Sequence, residues 1–316
     1  MKAWIVRRGV AALGVLALAA AAATAQTPVK VRVATLPADV SAQAFYAADQ
    51  GFFKQAGLDV DVTVMRSGPA IAAGISSGDI DFGASNSLTL ALAHEHGLPF
   101  VMVAPAGAYQ SKLATTKLFV VKGSPIKKAS DLNGKTVAIN SLGQNIASIG
   151  DSFWIDRNGG DSKSVKFVEI PFSEMPVALT TGRVDAANMD ELGLSRADGE
   201  NLRVLATPYD AISKEWLQGA WFTTAQFARA HPDIVAKFAA VMAKTADWAN
   251  KNQAESAKIL ERYTKVAIAP GTPRVFYPPW LVRGEVMPLL DAAQKYGALK
   301  PDFDVGGMLA PGVTFR

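Results

Sequence analysis

Past residue 28, apolar and polar positions alternate in short runs separated by stretches with helical spacing. The first run, 29–35, predicts a strand closed by Leu36-Pro37-Ala38. Residues 41–53 set Ala44, Phe45, Ala48 and Phe52 on one helical face, and Gly57 ends that helix. Residues 58–65 alternate as a second strand, Arg66-Ser67-Gly68-Pro69 make a turn, 70–77 form a helix and 80–84 a third strand. Ser85-Asn86-Ser87 is a polar cap for a helix over 88–96, and 98–104 is a fourth, fully apolar strand.

The same phrase then returns. Ile75-Ser76-Ser77-Gly78-Asp79-Ile80-Asp81-Phe82 is echoed 104 residues later by Leu179-Thr180-Thr181-Gly182-Arg183-Val184-Asp185-Ala186. Both read as a helix end, a glycine C-cap and a buried strand. The echo runs backwards too: 60–64 aligns with 165–169, and 31–35 with 136–140. Each set is a strand, helix, strand, helix, strand unit of the kind that builds a parallel sheet covered on both faces. Two equivalent α/β lobes in one chain leave a cleft between them, which points to a ligand held there.

The rest of the pattern completes the second unit. Residues 118–121 carry the chain into it, 130–135 form a turn, and 136–140, 165–170 and 184–187 are strands. The helices between them cover 145–157 and 175–181, and 202–207 and 220–223 read as return strands. Helices over 232–250 and 254–263 have no counterpart in the first half, 270–279 is a proline-rich loop, and 285–296 is a last helix. The predicted organisation is 26–115 with 222–316 as lobe one and 116–221 as lobe two.

Residues 1–25 read as a cleaved export signal. Lys2, Arg7 and Arg8 precede an uncharged apolar run, and Ala23-Thr24-Ala25 gives the small-x-small cleavage pattern. The run is short for a membrane span, and the residues around Arg7-Arg8 do not fit a twin-arginine signal, so ordinary secretion to the periplasm is expected. Without this segment the chain keeps 29 basic and 28 acidic side chains, so its basic character belongs largely to the signal. No clustered basic footprint points to nucleic acid. The chain has no cysteine, which excludes disulfides, thiolate metal sites, cysteine nucleophiles and a lipidated cysteine anchor.

In open α/β sheets, ligands bind beyond the carboxyl ends of the strands. That rule selects Leu36, Pro37, Arg66, Ser67, Gly68, Ser85 and Asn86 in lobe one. In lobe two it selects Ser141, Gly143, Gln144, Asn145, Phe172 and Asp190. Ser85-Asn86-Ser87 precedes a helix whose free N–H groups favour an anion, or is a plain cap. Ser141 to Asn145 has the same logic opposite, with Gly143 allowing close approach to the backbone; the Walker spacing and its lysine are missing. Asp190 accepts a hydrogen bond from a ligand or ties down the hinge. Arg66 grips a sulfonate or carboxylate with its planar fork, or is simply solvated. Phe172 stacks on the ligand or packs in the core, and Tyr109 lies in a hinge loop.

Catalytic chemistry is not expected, nor a cofactor. His94 and His96 are two apart and point to different sides of a helix, and His231 before Pro232 sits at a helix entry. No Gly-x-Ser-x-Gly or His-Glu-x-x-His motif is present. Asp79 and Asp81 lie in a Gly-Asp-x-Asp context that the echo marks as structural, so no metal site is expected.

Four stretches in order carry a resemblance: Gly51-Phe52-Phe53-Lys54 through Gly57-Leu58-Asp59-Val60; Gly78-Asp79-Ile80-Asp81-Phe82-Gly83 with Gly97-Leu98-Pro99; Ser124-Pro125-Ile126 with Asp131-Leu132-Asn133-Gly134-Lys135; and Ala178-Leu179 with Gly182-Arg183-Val184-Asp185-Ala186. Together they resemble the nitrate/sulfonate/taurine-type solute-binding proteins of ABC importers. The resemblance implies a two-lobed, type II Venus-flytrap fold that hands a small solute to an inner-membrane ABC permease, acting as a monomer. One departure stands out: where the family often has Trp, an acid and Pro after the last echoed strand, this chain has Met189-Asp190-Glu191. The cysteine-rich signature of the thiamine-pyrimidine branch is absent. The leading expectation is therefore binding of a small organic anion: a sulfonate, taurine, nitrate or an aromatic carboxylate. An enzyme on the same fold, or a ligand-sensing subunit, is the alternative.

Overall fold

The computed structural model describes residues 28–65, 67–142, 145–190 and 201–316. The export-signal reading falls on residues outside that set. Lobe one begins with β1 (Val29–Thr35), α1 (Gln43–Asp49), α2 (Phe52–Gln55) and β2 (Leu58–Val64). It continues through α3 (Gly68–Ser77), β3 (Phe82–Asn86), α4 (Ser87–Glu95) and β4 (Phe100–Pro105). A short β5 (Ala108–Gln110) leads across to β6 (Lys117–Val121), β7 (Thr136–Ile139), α5 (Ile146–Arg157), β8 (Lys166–Glu169), α6 (Met175–Thr180), β9 (Ala186–Met189) and β10 (Leu202–Ala206). The chain returns through β11 (Glu215–Leu217) and β12 (Gly219–Thr224). It ends with α7 (Ala225–Ala230), α8 (Pro232–Lys251), α9 (Gln253–Thr264) and α10 (Arg283–Lys295).

Two five-stranded sheets result, ordered β2-β1-β3-β12-β4 and β10-β6-β9-β7-β8. In each, three parallel strands from the echoed unit are followed by one antiparallel strand that the chain forms just after crossing between lobes. The echo is physical. The Asp81 carboxylate accepts from the Arg32 backbone N–H at 2.7 Å, while the Asp81 N–H donates to the Arg32 carbonyl at 2.9 Å. One repeat later, Asp185 does the same to Thr136, at 2.8 and 2.9 Å. Each aspartate thus caps the start of a parallel pairing, β1 with β3 and β7 with β9, satisfying a backbone donor that the ladder leaves open. In lobe one the Arg32 guanidinium adds a second grip on Asp81, at 2.6 and 3.1 Å.

Lobe one packs helices on both faces of its sheet. On one face α8 buries Ile234, Val235, Phe238, Val241, Met242 and Thr245, a helical stripe, and the Phe238 ring stacks on Phe82 at 4.1 Å. On the other, α3, α4 and α10 share an apolar cluster that runs on through Trp216 of β11 to Ile146, Ile149 and Phe153 of α5. The helix expected over 41–53 is divided: Gly51 takes a left-handed φ of 69°, which ends α1 and starts α2 in a new direction. The third and last echoed strands lie two residues further along than the apolar runs suggest; they run on because β12 pairs with Ser85 and Asn86, and β6 with Asn188 and Met189. Not anticipated at all is the pairing of β5 with β11, which ties the two lobe crossings into a small antiparallel sheet.

Candidate ligand-binding site

Three long helices start where the loop rule points, each with its own polar cap. Ser67 caps α3 by accepting from the Ala70 N–H at 3.4 Å, and Asn86 caps α4 by accepting from Thr89 at 2.7 Å. In lobe two, Asn145 caps α5 by accepting from Ala147 at 2.6 Å and Ser148 at 3.3 Å. Capping satisfies one or two of the four free N–H groups at each helix start and leaves the others to a partner. The helix dipoles add positive potential at the same ends. Two helices of lobe one and one of lobe two therefore begin at the carboxyl edges of the sheets.

The lobe-one loops meet closely. A Cβ built on Gly68 would lie 3.2 Å from Oγ of the buried Ser85, so the start of α3 and the end of β3 adjoin. Leu36 is half-buried against the α3–α4 cluster and Pro37 is exposed. The Leu36 carbonyl accepts from Ala38 N–H and the Ser41 hydroxyl, at 2.9 and 3.3 Å, which curls this loop tightly. Behind it, Asp39 is fully buried and forms a bidentate pair with Arg274, both contacts at 2.6 Å. Tyr46 and Tyr277 donate to the same carboxylate, at 3.1 and 3.0 Å. The loop carrying Leu36 and Pro37 is thus anchored to the proline-rich segment 235 residues away.

In lobe two, Ser141 is exposed and its carbonyl accepts from the Asn145 side-chain amide, closing the loop onto the cap. The Leu142 N–H donates to Glu169 of β8 at 2.8 Å. Asp190 directly follows β9 and is partly exposed. Phe172, beyond β8, packs part of its ring against the lobe-two core. Arg66, Gly143 and Gln144 lie outside the described residues. Tyr109 sits in strand β5 rather than a loop; it is fully buried, and its hydroxyl donates to Asp210 at 2.9 Å. Burial and that bond push its pKa up. Tyr109 pairs with Trp216 of β11 and so bridges the two crossings. Among the described candidates only Asp190 carries a charge.

Two supports escaped the sequence reading. Asp151, on α5, is completely buried, and Asn188 of β9 donates to its Oδ1 at 2.7 Å while Oδ2 has no partner among the described residues. Burial pushes its pKa up to about 8, against the opposing Asn188 bond. This contact locks the helix capped by Asn145 to the strand ending before Asp190. The other is Gly107, between β4 and β5: a Cβ there would meet the Val40 Cα at 2.9 Å, so only glycine lets this crossing pass.

Comparison with known proteins places this architecture. The family described as NMT1/THI5 like matches residues 39–256. The taurine-binding periplasmic protein of Escherichia coli (strain K12) is 27% identical over 202 residues, a stretch covering 61% of this chain and 58% of that protein. The chain thus matches less than two thirds of that relative's length. Among solved structures, the periplasmic aliphatic sulphonate binding protein SsuA of Escherichia coli superposes with a TM-score of 0.73 at 15% identity, covering 92% of this chain and 94% of that one. The alkanesulfonate-binding protein SsuA from Xanthomonas axonopodis pv. citri, bound to MOPS, gives 0.70 at 16%, covering 92% and 99%. At such identities these structures speak for the fold, the two-lobed periplasmic-binding-protein architecture. With the family match spanning most of its length, the chain belongs to the NMT1/THI5-like family.

Proposed function

We propose that this protein is the solute-binding component of an ABC importer and captures a small organic anion of the sulfonate class between its two lobes. The observation that carries the proposal is the set of three capped helix starts, two in lobe one and one in lobe two, at the sheet edges where α/β proteins hold ligands. A sulfonate spreads its charge over three acceptor oxygens, which suits several backbone N–H groups better than one cation. The names of the similar proteins, taurine-binding and sulphonate-binding, support the same chemistry.

In this reading the lobes are 26–115 with 222–316, and 116–221. The chain is exported to the periplasm after loss of residues 1–25 and works as a monomer without a cofactor. Lobe one binds first through Leu36, Pro37, Ser67, Gly68, Ser85 and Asn86, and lobe two closes with Ser141, Asn145, Phe172 and Asp190. Bound solute shifts the population toward the closed form, whose surface docks on the permease. No covalent step is needed.

A thermal-shift panel tests this. The mature protein, refolded to strip ligand, is melted with taurine, alkanesulfonates, nitrate, aromatic carboxylates and pyrimidines. A solute at about 1,000 times its Kd adds roughly 4 kcal/mol, a rise of several degrees. A rise with sulfonates supports the proposal. A rise with another class alone, or turnover of the added compound, overturns it.

A further inference from the structure

Beside the small sheet that joins the lobes lies a cavity of about 850 Å³, and none of the cleft loops lines it. One wall is the end of β5 and the turn after it; the other is α9 with the segment 268–276. Its volume falls within the range of roughly 300–1,000 Å³ used by small-molecule sites. The surface is mostly carbon, contributed among others by Leu113, Ala257, Ile268, Pro273 and Phe276. Two exposed lysines, Lys112 and Lys258, stand on its rim with no carboxylate partner among the described residues. Two further charges line the cavity: Glu261, whose Oε1 accepts from the Ile268 N–H at 2.6 Å and holds the loop, and Arg274, whose charge is balanced by Asp39. Gln110 also lines the cavity; it is more than nine-tenths buried, and its side-chain oxygen, an acceptor, has no hydrogen-bond partner among the described residues.

An apolar trough with unpaired cations at its rim describes one kind of guest. We propose that this cavity binds an amphipathic organic anion, an alkyl or acyl chain with a carboxylate or sulfonate head. The chain lies along the carbon-lined floor and the head group faces Lys112 and Lys258. The site is separate from the cleft and does not rest on the sulfonate reading. It also touches the machinery of lobe movement: the Ala108 N–H donates to the Phe276 carbonyl at 2.7 Å, so the strand forming one wall is bonded to the loop forming the other. An occupant therefore presses on the lobe crossing itself.

Isothermal titration of the mature protein with decanoate tests the site, with decanol as the uncharged comparison. Lys112→Ala/Lys258→Ala removes two exposed charges and leaves the core alone; Ala257→Trp fills the trough. Decanoate is expected to bind the wild type and to bind about tenfold more weakly to the double lysine variant. Binding is lost in Ala257→Trp and unchanged in the cleft variant Asn86→Ala. No heat up to about 1 mM ligand, equal affinity in the double lysine variant, or loss of binding in Asn86→Ala would each overturn the proposal. The lysine variant decides the matter even where Ala257→Trp fails to fold.

Discussion

Replacing Asp151 with asparagine should make the protein less sensitive to alkali and more stable above neutral pH. In the folded chain this carboxyl is fully buried and titrates at about 8, because burial disfavours its charged form; unfolded, it titrates near an ordinary value of about 3.9. The folded state therefore holds a proton that the unfolded state releases. The stability contributed by this group is complete below about pH 4 and is lost as pH rises through about 8, at roughly 1.4 kcal/mol per pH unit. By pH 7 the loss is on the order of 4 kcal/mol. The amide keeps the bond from Asn188 to Oδ1 and leaves a second polar atom buried and unpaired, as Oδ2 already is. That remaining penalty is similar in both proteins, so the difference between them is mainly the proton. Urea unfolding of wild type and Asp151→Asn at pH 5, 6, 7 and 8 measures it. The variant's advantage should grow by about 1 kcal/mol per unit across that range and level off above pH 8. A difference that stays constant with pH would refute the buried, protonated carboxyl.

Other expectations follow from the same contacts. Arg274→Ala leaves the Asp39 carboxylate buried with two tyrosines and no cation, and should cost about 3–5 kcal/mol in urea unfolding. Because Asp39 holds the loop of Leu36 and Pro37, the variant should also bind solute more weakly in calorimetry. Asn145→Ala and Asn86→Ala each remove a side-chain cap and should lower stability by about 1 kcal/mol, seen as a small fall in Tm.

The repeat was legible because it is built from local signals. Gly78 and Gly182 both take left-handed φ, and the N–H of the next residue returns to Gly74 or Ala178 at 2.9 Å, a helix stop that four or five residues specify. Asp81 and Asp185 follow at fixed spacing and do the same job in each sheet. What remained hidden depends on distant partners. Ser85 and Asn86 look like loop residues until β12 pairs with them from more than 130 residues away. Strands β5 and β11 are three residues long and carry no periodicity of their own. Asp151 is visible as a charge among Ile149, Phe153 and Ile155, yet only Asn188 reveals that the helix face around it is buried. The candidate loops could be chosen from strand ends alone. Which groups hold those loops, Asp39 with Arg274 and Asp151 with Asn188, required the folded chain.

The central claim is that one anion is gripped by helix starts from both lobes, and isothermal titration with taurine tests it most directly. Wild type, Asn86→Ala in lobe one and Asn145→Ala in lobe two would be compared under one set of conditions. The account predicts a single site in the wild type and weaker binding in both variants, each keeping its one-to-one stoichiometry. Binding unchanged in either variant, or absent from the wild type, would contradict it.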